Sequence, residues 1–327
     1  MHVVSSEIEE CQRLTDYICD IVEKEKCNLI ILGDLLNNFR AIDMEVLCFW
    51  EAFFNKIEAV LEDDREFFAI VGNHDMPGNG DAQYHALMSF KNKPKCVIVD
   101  DFAVRDNILF LPYFHNTNKF IETCNKLHKE TDTNVLICHQ TFLGIQYDNG
   151  FYSKDGAEPD DLPFKQIISG HIHTPSKFGK VWYPGAPRSR TLSDANVERN
   201  LVLLEIKEDG SMGQQTLYST KPVCKQIMHF KDTPESPPQI EDGLNEYRID
   251  IYGSEAYILE RKAYYKSFRN VKLRSFASQS SSLMIKESDG IDRAFVNFFK
   301  NYEPKFGSIM SQLGELVKTR LKIDVER

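Results

Sequence analysis

The chain has 327 residues, of which 42% are hydrophobic and 27% charged, and its formal net charge is −10. That length accommodates one large domain with a satellite, or two domains, and no run approaches the roughly 20 apolar residues a membrane-spanning helix needs. The acidic surplus argues against a chain that grips nucleic acid alone through a basic face. It leaves phosphate chemistry open where cations or a basic partner supply positive charge.

The N-terminus shows no basic region followed by an apolar one, so no signal peptide is expected and the cytoplasm is the default location. Eight cysteines are scattered without a CxxC pair. They read as reduced, structural residues that behave as small hydrophobes.

Ser6 with Glu9 three residues on predicts a capping box, and Ile8, Cys11, Leu14, Ile18, Ile21 and Val22 keep helical spacing behind it. Residues 28–32 form a short continuous apolar run, the mark of a buried strand. A second helix is expected where Val46, Leu47, Trp50, Phe53, Phe54, Ile57, Val60 and Leu61 share one broad face. Runs at 67–71, 134–138 and 166–169 predict three more buried strands. Helices between such strands indicate an α/β protein, layered α/β/β/α.

Between 221 and 238 the composition turns toward Pro, Lys and Ser, a domain junction. Beyond it a strand (246–252), a helix (258–268) and a second strand (271–276) predict a small α+β module. A serine-rich linker at 278–282 precedes two tail helices, the second carrying Phe306, Ile309, Met310, Leu313, Leu316, Val317 and Leu321. The expected organisation is thus a main domain over 1–220, a small module over 221–282 and C-terminal helices over 283–327.

Four strand ends are followed at once by polar residues of one chemical type. They are Gly33-Asp34, Gly72-Asn73-His74-Asp75, His139 and Gly170-His171-Ile172-His173. Alone, a Gly-Asp after a strand is usually a turn, and a lone histidine there is usually structural. Gly-His-x-His is sharper, because residues two apart in an extended segment face the same side. Carboxyl ends of strands in open α/β sheets are where ligands sit. One carboxylate, one amide and several imidazoles converging there suit manganese, iron or zinc.

This ordered set resembles the signature of calcineurin-like metallophosphoesterases. The resemblance implies that Asp34 bridges two divalent metal ions. Asn73, His139 and His171 would complete one metal site, and His173 would serve the other. His74 would be the acid that protonates the leaving oxygen, or would stabilise the transition state, oriented by Asp75. The family pattern opens with Asp-x-His after a first strand, and here the chain reads Met1-His2-Val3-Val4. His2 sits where the family histidine belongs, so it joins the metal set. The matching aspartate would fall one residue before Met1, and the strand that carries it is missing from the main domain. Because the other motifs are intact, a shortened reading of a longer protein is favoured over a variant with one crippled site.

The segment from Trp182 to Arg188, followed by residues 198–205, resembles the close of the SbcD-type nuclease domain. That narrower likeness implies DNA cleavage with manganese, a homodimer, a capping domain over 221–282, and tail helices that dock on an SbcC-type ATPase. Arg188 and Arg190, behind a Pro-rich loop, are candidates for contacts to the DNA backbone; the alternative is a solvated loop with surface arginines. Two other readings stay open. One is a phosphoesterase for nucleotides, small esters or phosphoproteins; the other is a scaffold that has lost one metal ligand.

Overall fold

The computed structural model describes residues 1–77, 84–147, 150–240 and 243–277, so the linker and tail helices expected beyond 277 lie outside the described residues. The chain divides into two compact units. The first comprises Met1–Phe230, Gln239–Arg248 and Phe268–Lys272; the second comprises Lys231–Pro238, Ile249–Ser267 and the chain from Leu273 on.

The first unit begins with a 3-10 turn at Ser5–Glu7 and the helix α1 (Ile8–Glu25). The Ser6–Glu9 capping box does not form. Ser6 lies inside the turn, and the residue preceding α1 is Glu7, with no side-chain cap. Strands β1 (Leu29–Ile31), β2 (Phe67–Ile70) and β3 (Cys96–Val99) pair in parallel, with helix α2 (Met44–Val60) between the first two in sequence. Strands β4 (Ala103–Arg105) and β5 (Ile108–Phe110) are followed by helix α3 (Thr117–Thr131). Then come β6 (Val135–Cys138), β7 (Gln166–Ser169), β8 (Ser176–Phe178) and β9 (Val181–Tyr183). These make a six-stranded sheet in the order β4-β5-β6-β7-β9-β8, parallel from β5 through β9. The hairpin of β10 (Asn200–Ile206) and β11 (Met212–Ser219) completes the unit's larger strands.

The alternation of side chains along a strand builds the layers. In β2, Phe67 and Ala69 face α1 and α2, beside Leu14, Trp50 and Phe53. Phe68 and Ile70 face the opposite way, against Phe110, Ile137 and Ile168 of the six-stranded sheet. Phe68 and Phe110 stack there with ring centroids 4.4 Å apart. On the far face of that sheet, Phe120, Cys124 and Leu127 of α3 pack on Leu136, Cys138 and Ile167. The result is the α/β/β/α layering expected from the sequence. Among the described residues no helix is long and apolar enough to cross a membrane.

One gap interrupts the inner layer. Among the described residues β1 pairs only with β2, and β10 only with β11. Leu29–Ile31 and Asn200–Ile206 line a shared cavity of about 660 Å³, with Met1 and His2 also on its wall. Leu201, Val202, Leu203 and Leu204 are apolar on both faces of β10 yet only half-buried. A strand of that composition is one that ordinarily has neighbours on both sides.

Strands β12 (Ile227–Asp232), β13 (Glu246–Gly253) and β14 (Val271–Ala277) form a three-stranded sheet in that order, with helix α4 (Glu255–Tyr265) between β13 and β14 in sequence. Ser254 caps α4 by accepting a hydrogen bond from Tyr257 N at 3.2 Å. Within the second unit the buried Asp232 accepts from the hydroxyls of Tyr257 and Tyr265, each at 2.6 Å, and from Arg261 Nε at 2.7 Å. Burial alone would raise the Asp232 carboxyl, but these donors hold it below the ordinary carboxylate value. A depressed folded value means the stabilisation is full above the unfolded pKa of about 4 and is lost as pH falls through the folded one. Asp232→Asn is therefore expected to cost about 3 kcal/mol at neutral pH. In urea unfolding, the gap to the wild type should narrow below about pH 4; a gap independent of pH contradicts the assignment.

Candidate metal centre

Parallel strands carry their carboxyl ends to one edge, and β1, β2, β6 and β7 end in the four polar motifs. Gly33 and Asp34 follow β1, and both adopt left-handed backbone, with φ of 99° and 54°. His2 is also left-handed, at 52°. Such conformations in non-glycine residues cluster where the surrounding structure enforces them at a site. Gly72, behind β2, is needed for a different reason. A Cβ there would run into the carboxylate and backbone nitrogen of Asp34.

The donor atoms form two groups. In the first, His139 Nε2 lies 3.0 Å from Asn73 Oδ1 and 3.2 Å from Asp34 Oδ2. His171 Nδ1 lies 3.1 Å from Asn73 Oδ1 and 3.2 Å from His139 Nε2. In the second, His2 Nε2 lies 3.0 Å from His173 Nε2 and 3.3 Å from the same Asp34 Oδ2. Side-chain donor atoms of His2, Asp34 and His74 also lie within 4.8 Å of one another. The structure thus gathers His2, Asp34, Asn73, His139, His171 and His173 around one shared carboxylate.

The chemistry of this set fits divalent cations. Two donors held ~2.1 Å from one ion stand roughly 3.0–3.4 Å apart. His139 Nδ1 donates to Leu32 O at 2.6 Å, which leaves Nε2 as the nitrogen with the lone pair. A backbone carbonyl at the far nitrogen is the usual way to orient a ligating imidazole. His139 Nε2 then faces two further acceptor oxygens, an arrangement that calls for positive charge between them. The same demand shows in how these groups ionise. Burial opposes it, but the Asp34 carboxylate raises His139 above its ordinary value. Burial likewise works against the charged Asp34, and His139 and His2 hold it well below the usual range. Burial, then the neighbouring His139, lowers His171 to about 3, a neutral imidazole of the kind that binds metal.

The hydrogen-bond partners of His74 and Asp75 differ from those expected. His74 Nδ1 donates to the backbone carbonyl of Asn37 at 2.8 Å, and His74 N donates to Asp34 Oδ1 at 2.9 Å. The Asp75 carboxylate does not serve the His74 ring. It accepts from Leu36 N at 2.9 Å, Gly72 N at 3.0 Å and Leu35 N at 3.4 Å, bracing both loops that carry donors. Asp75 is fully buried beside Asp34, and burial followed by that charge raises it to about 6.

Arg188 cannot reach a DNA backbone, because it is 1% exposed. Its guanidinium binds Glu7 at 2.6 Å and donates to the carbonyls of Met1 and His2 at 3.3 and 3.2 Å. Arg190 also turns inward, to Asn37 Oδ1 at 3.0 Å. Their ion-pair partners are Glu7, in the turn before α1, and for Arg188 also Glu10 in its first turn, so the inward turn depends on contacts remote in sequence. Tyr113, which follows β5, was not among the residues expected at the site. Its ring stacks near His171, with centroids 6.1 Å apart and planes 19° from parallel. The signal was present: the apolar run 108–111 ends in Pro112-Tyr113 at the same edge as the other motifs.

Fold and site together define the class of metal-dependent phosphoesterases. The calcineurin-like phosphoesterase family model matches residues 2–175, over half of the chain, and the chain belongs to that family. Among individual proteins it is similar to exonuclease subunit 1 of Enterobacteria phage T4, at 26% identity over 190 residues. The match covers 54% of this chain and 52% of the phage protein, so the chain spans about half the length of that relative.

Proposed function

We propose that this chain is the DNA-cleaving subunit of an SbcCD-type end-processing complex, hydrolysing phosphodiester bonds with two divalent cations, manganese foremost. The observation that carries the proposal is the pair of donor groups sharing Asp34 Oδ2, with contacts of 3.0–3.3 Å throughout. Asp34, Asn73, His139 and His171 would hold one ion, and Asp34, His2 and His173 the other. Bound there, the ions would supply positive charge to the phosphoryl oxygens and to the attacking water. With Nδ1–H committed to Asn37, His74 presents Nε2 to the substrate; as the imidazolium, with a second proton on Nε2, it would give that proton to the leaving oxygen and return to the neutral ring.

DNA as substrate is supported by the name of the phage relative, an exonuclease subunit. The word subunit also supports an assembly, in which an SbcC-type ATPase and a second copy of the chain are the proposed partners. The second unit and the tail would serve as cap and docking element, in a cytoplasmic complex. At a net charge of −10, cations and partner must provide the attraction for DNA. A scaffold role has one observation in its favour: the second donor group offers three protein ligands where the first offers four.

The test is hydrolysis of linear double-stranded DNA in manganese, with a chelator control and a nitrophenyl phosphodiester alongside. The expected result is cleavage of both, abolished by the chelator. Ester hydrolysis without DNA cleavage moves the reading to nucleotides or small esters, and neither activity moves it to a scaffold.

A further inference from the structure

Three arginines between residues 188 and 199 each hold the backbone or side chain of a residue at the site. Arg188 donates to His2 O, Arg190 to Asn37 Oδ1, and Arg199 Nη1 to His173 O. The loop that carries them is itself braced. Asp194 accepts from Arg190 N at 2.9 Å and Thr191 N at 2.8 Å, and it binds Arg199 Nη2 at 2.8 Å.

Of the three, Arg190 bears on the proton transfer. A carbonyl oxygen only accepts, so the 2.8 Å contact with Asn37 O keeps one proton on His74 Nδ1, makes the proton transferred that of Nε2 in the imidazolium, and sets the ring's direction. The placement of that carbonyl therefore places the acid. On its N-terminal side Asn37 follows Leu36, which Asp75 holds. On its other side Asn38, Arg40 and Ala41 are exposed. The bond from Arg190 to Asn37 Oδ1 anchors the residue where the braced backbone gives way to this exposed segment.

We propose that Arg190 is a positioning residue for His74, acting through Asn37. The inference rests on the reading of His74 as the proton donor. Arg190 reaches no substrate in this scheme. Its guanidinium, 3.7 Å from Glu7 Oε2, is held within a network that also contains Arg188.

A proton donor matters most when the leaving oxygen is strongly basic. The experiment compares Arg190→Ala with the full chain in manganese on two phosphodiesters of equal charge, one losing p-nitrophenolate and one losing an unsubstituted phenolate. Expected is a loss of about tenfold in kcat for the phenolate substrate, part of the 10²–10⁴ an acid contributes. KM should be unchanged, and the nitrophenolate substrate little affected. Arg190→Lys should recover part of the loss, and Arg190→Ala should add nothing in a His74→Ala background. If Arg190→Ala does not fold, Arg190→Gln takes its place, keeping a donor on a long side chain.

Equal losses on both substrates, or losses that add to those of His74→Ala, overturn the inference. If His74→Ala itself shows no dependence on the leaving group, the reading of His74 falls and takes the inference with it. If His74→Ala shows that dependence and the Arg190 variants do not, only the role of Arg190 is overturned.

Discussion

Asp34→Asn is expected to abolish hydrolysis and to weaken both proposed cation sites together, because a single carboxylate oxygen stands 3.2 and 3.3 Å from the imidazoles of the two groups. The loss of turnover should be on the order of 10³-fold or more, about 4 kcal/mol of transition-state stabilisation. The fold should survive. Asparagine tolerates left-handed backbone better than most residues, and its side-chain oxygen can still accept from His74 N. The metal-free variant should therefore melt within a few degrees of the metal-free wild type. A variant that keeps one tight manganese site would show that Asp34 serves one group only.

The second large effect is expected from adding chain. The cavity between β1 and β10 is lined by apolar side chains and bounded by two strand edges without partners among the described residues. At its wall the Met1 ammonium is buried and donates to Asp34 O at 2.6 Å. A buried charge there is costly, and burial lowers the amine to about 6. A peptide N–H would make the same hydrogen bond without the charge. An N-terminal extension of about five apolar residues ending in Asp should therefore enter the gap as a strand. Each buried aliphatic side chain contributes about 1.5–3 kcal/mol, against about 1–2 kcal/mol per residue of backbone ordering. A net gain near 3 kcal/mol corresponds to a rise in Tm of roughly 10 °C. The same extension with a central proline should give much less, since it removes a ladder hydrogen bond. Amides of β1 and β10 should gain protection from exchange only with the uninterrupted strand. An unchanged Tm and unprotected β1 and β10 amides would remove the case for a strand in this gap.

What was legible in the sequence was local. Asp34, Asn73, His139, His171 and His173 each stand a few residues beyond an apolar run, so one parallel-sheet rule placed them at a common edge. The faces of α1 and α2 were legible for the same reason, being long and strongly periodic. Helix α3 went unread, because its buried stripe is only Phe120, Cys124 and Leu127 in an otherwise polar segment. The short strands β4 and β5 were passed over, and Tyr113 with them. The true partners of His74 and Asp75 were hidden for another reason. Both use backbone groups of the loop after β1, some forty residues earlier, and no side-chain pattern announces a carbonyl or an N–H. Arg188 misled because only contacts with Glu7 and the first two residues reveal that it points inward.

The most direct test of the shared-carboxylate centre is electron paramagnetic resonance of the metal-free chain titrated with manganese. Two ions held by one Asp34 carboxylate should give a spectrum of magnetically coupled manganese as the second equivalent binds, and Asp34→Asn should lose it. A titration that ends at one equivalent, or one whose bound manganese keeps the simple hyperfine pattern of isolated ions throughout, would contradict the account.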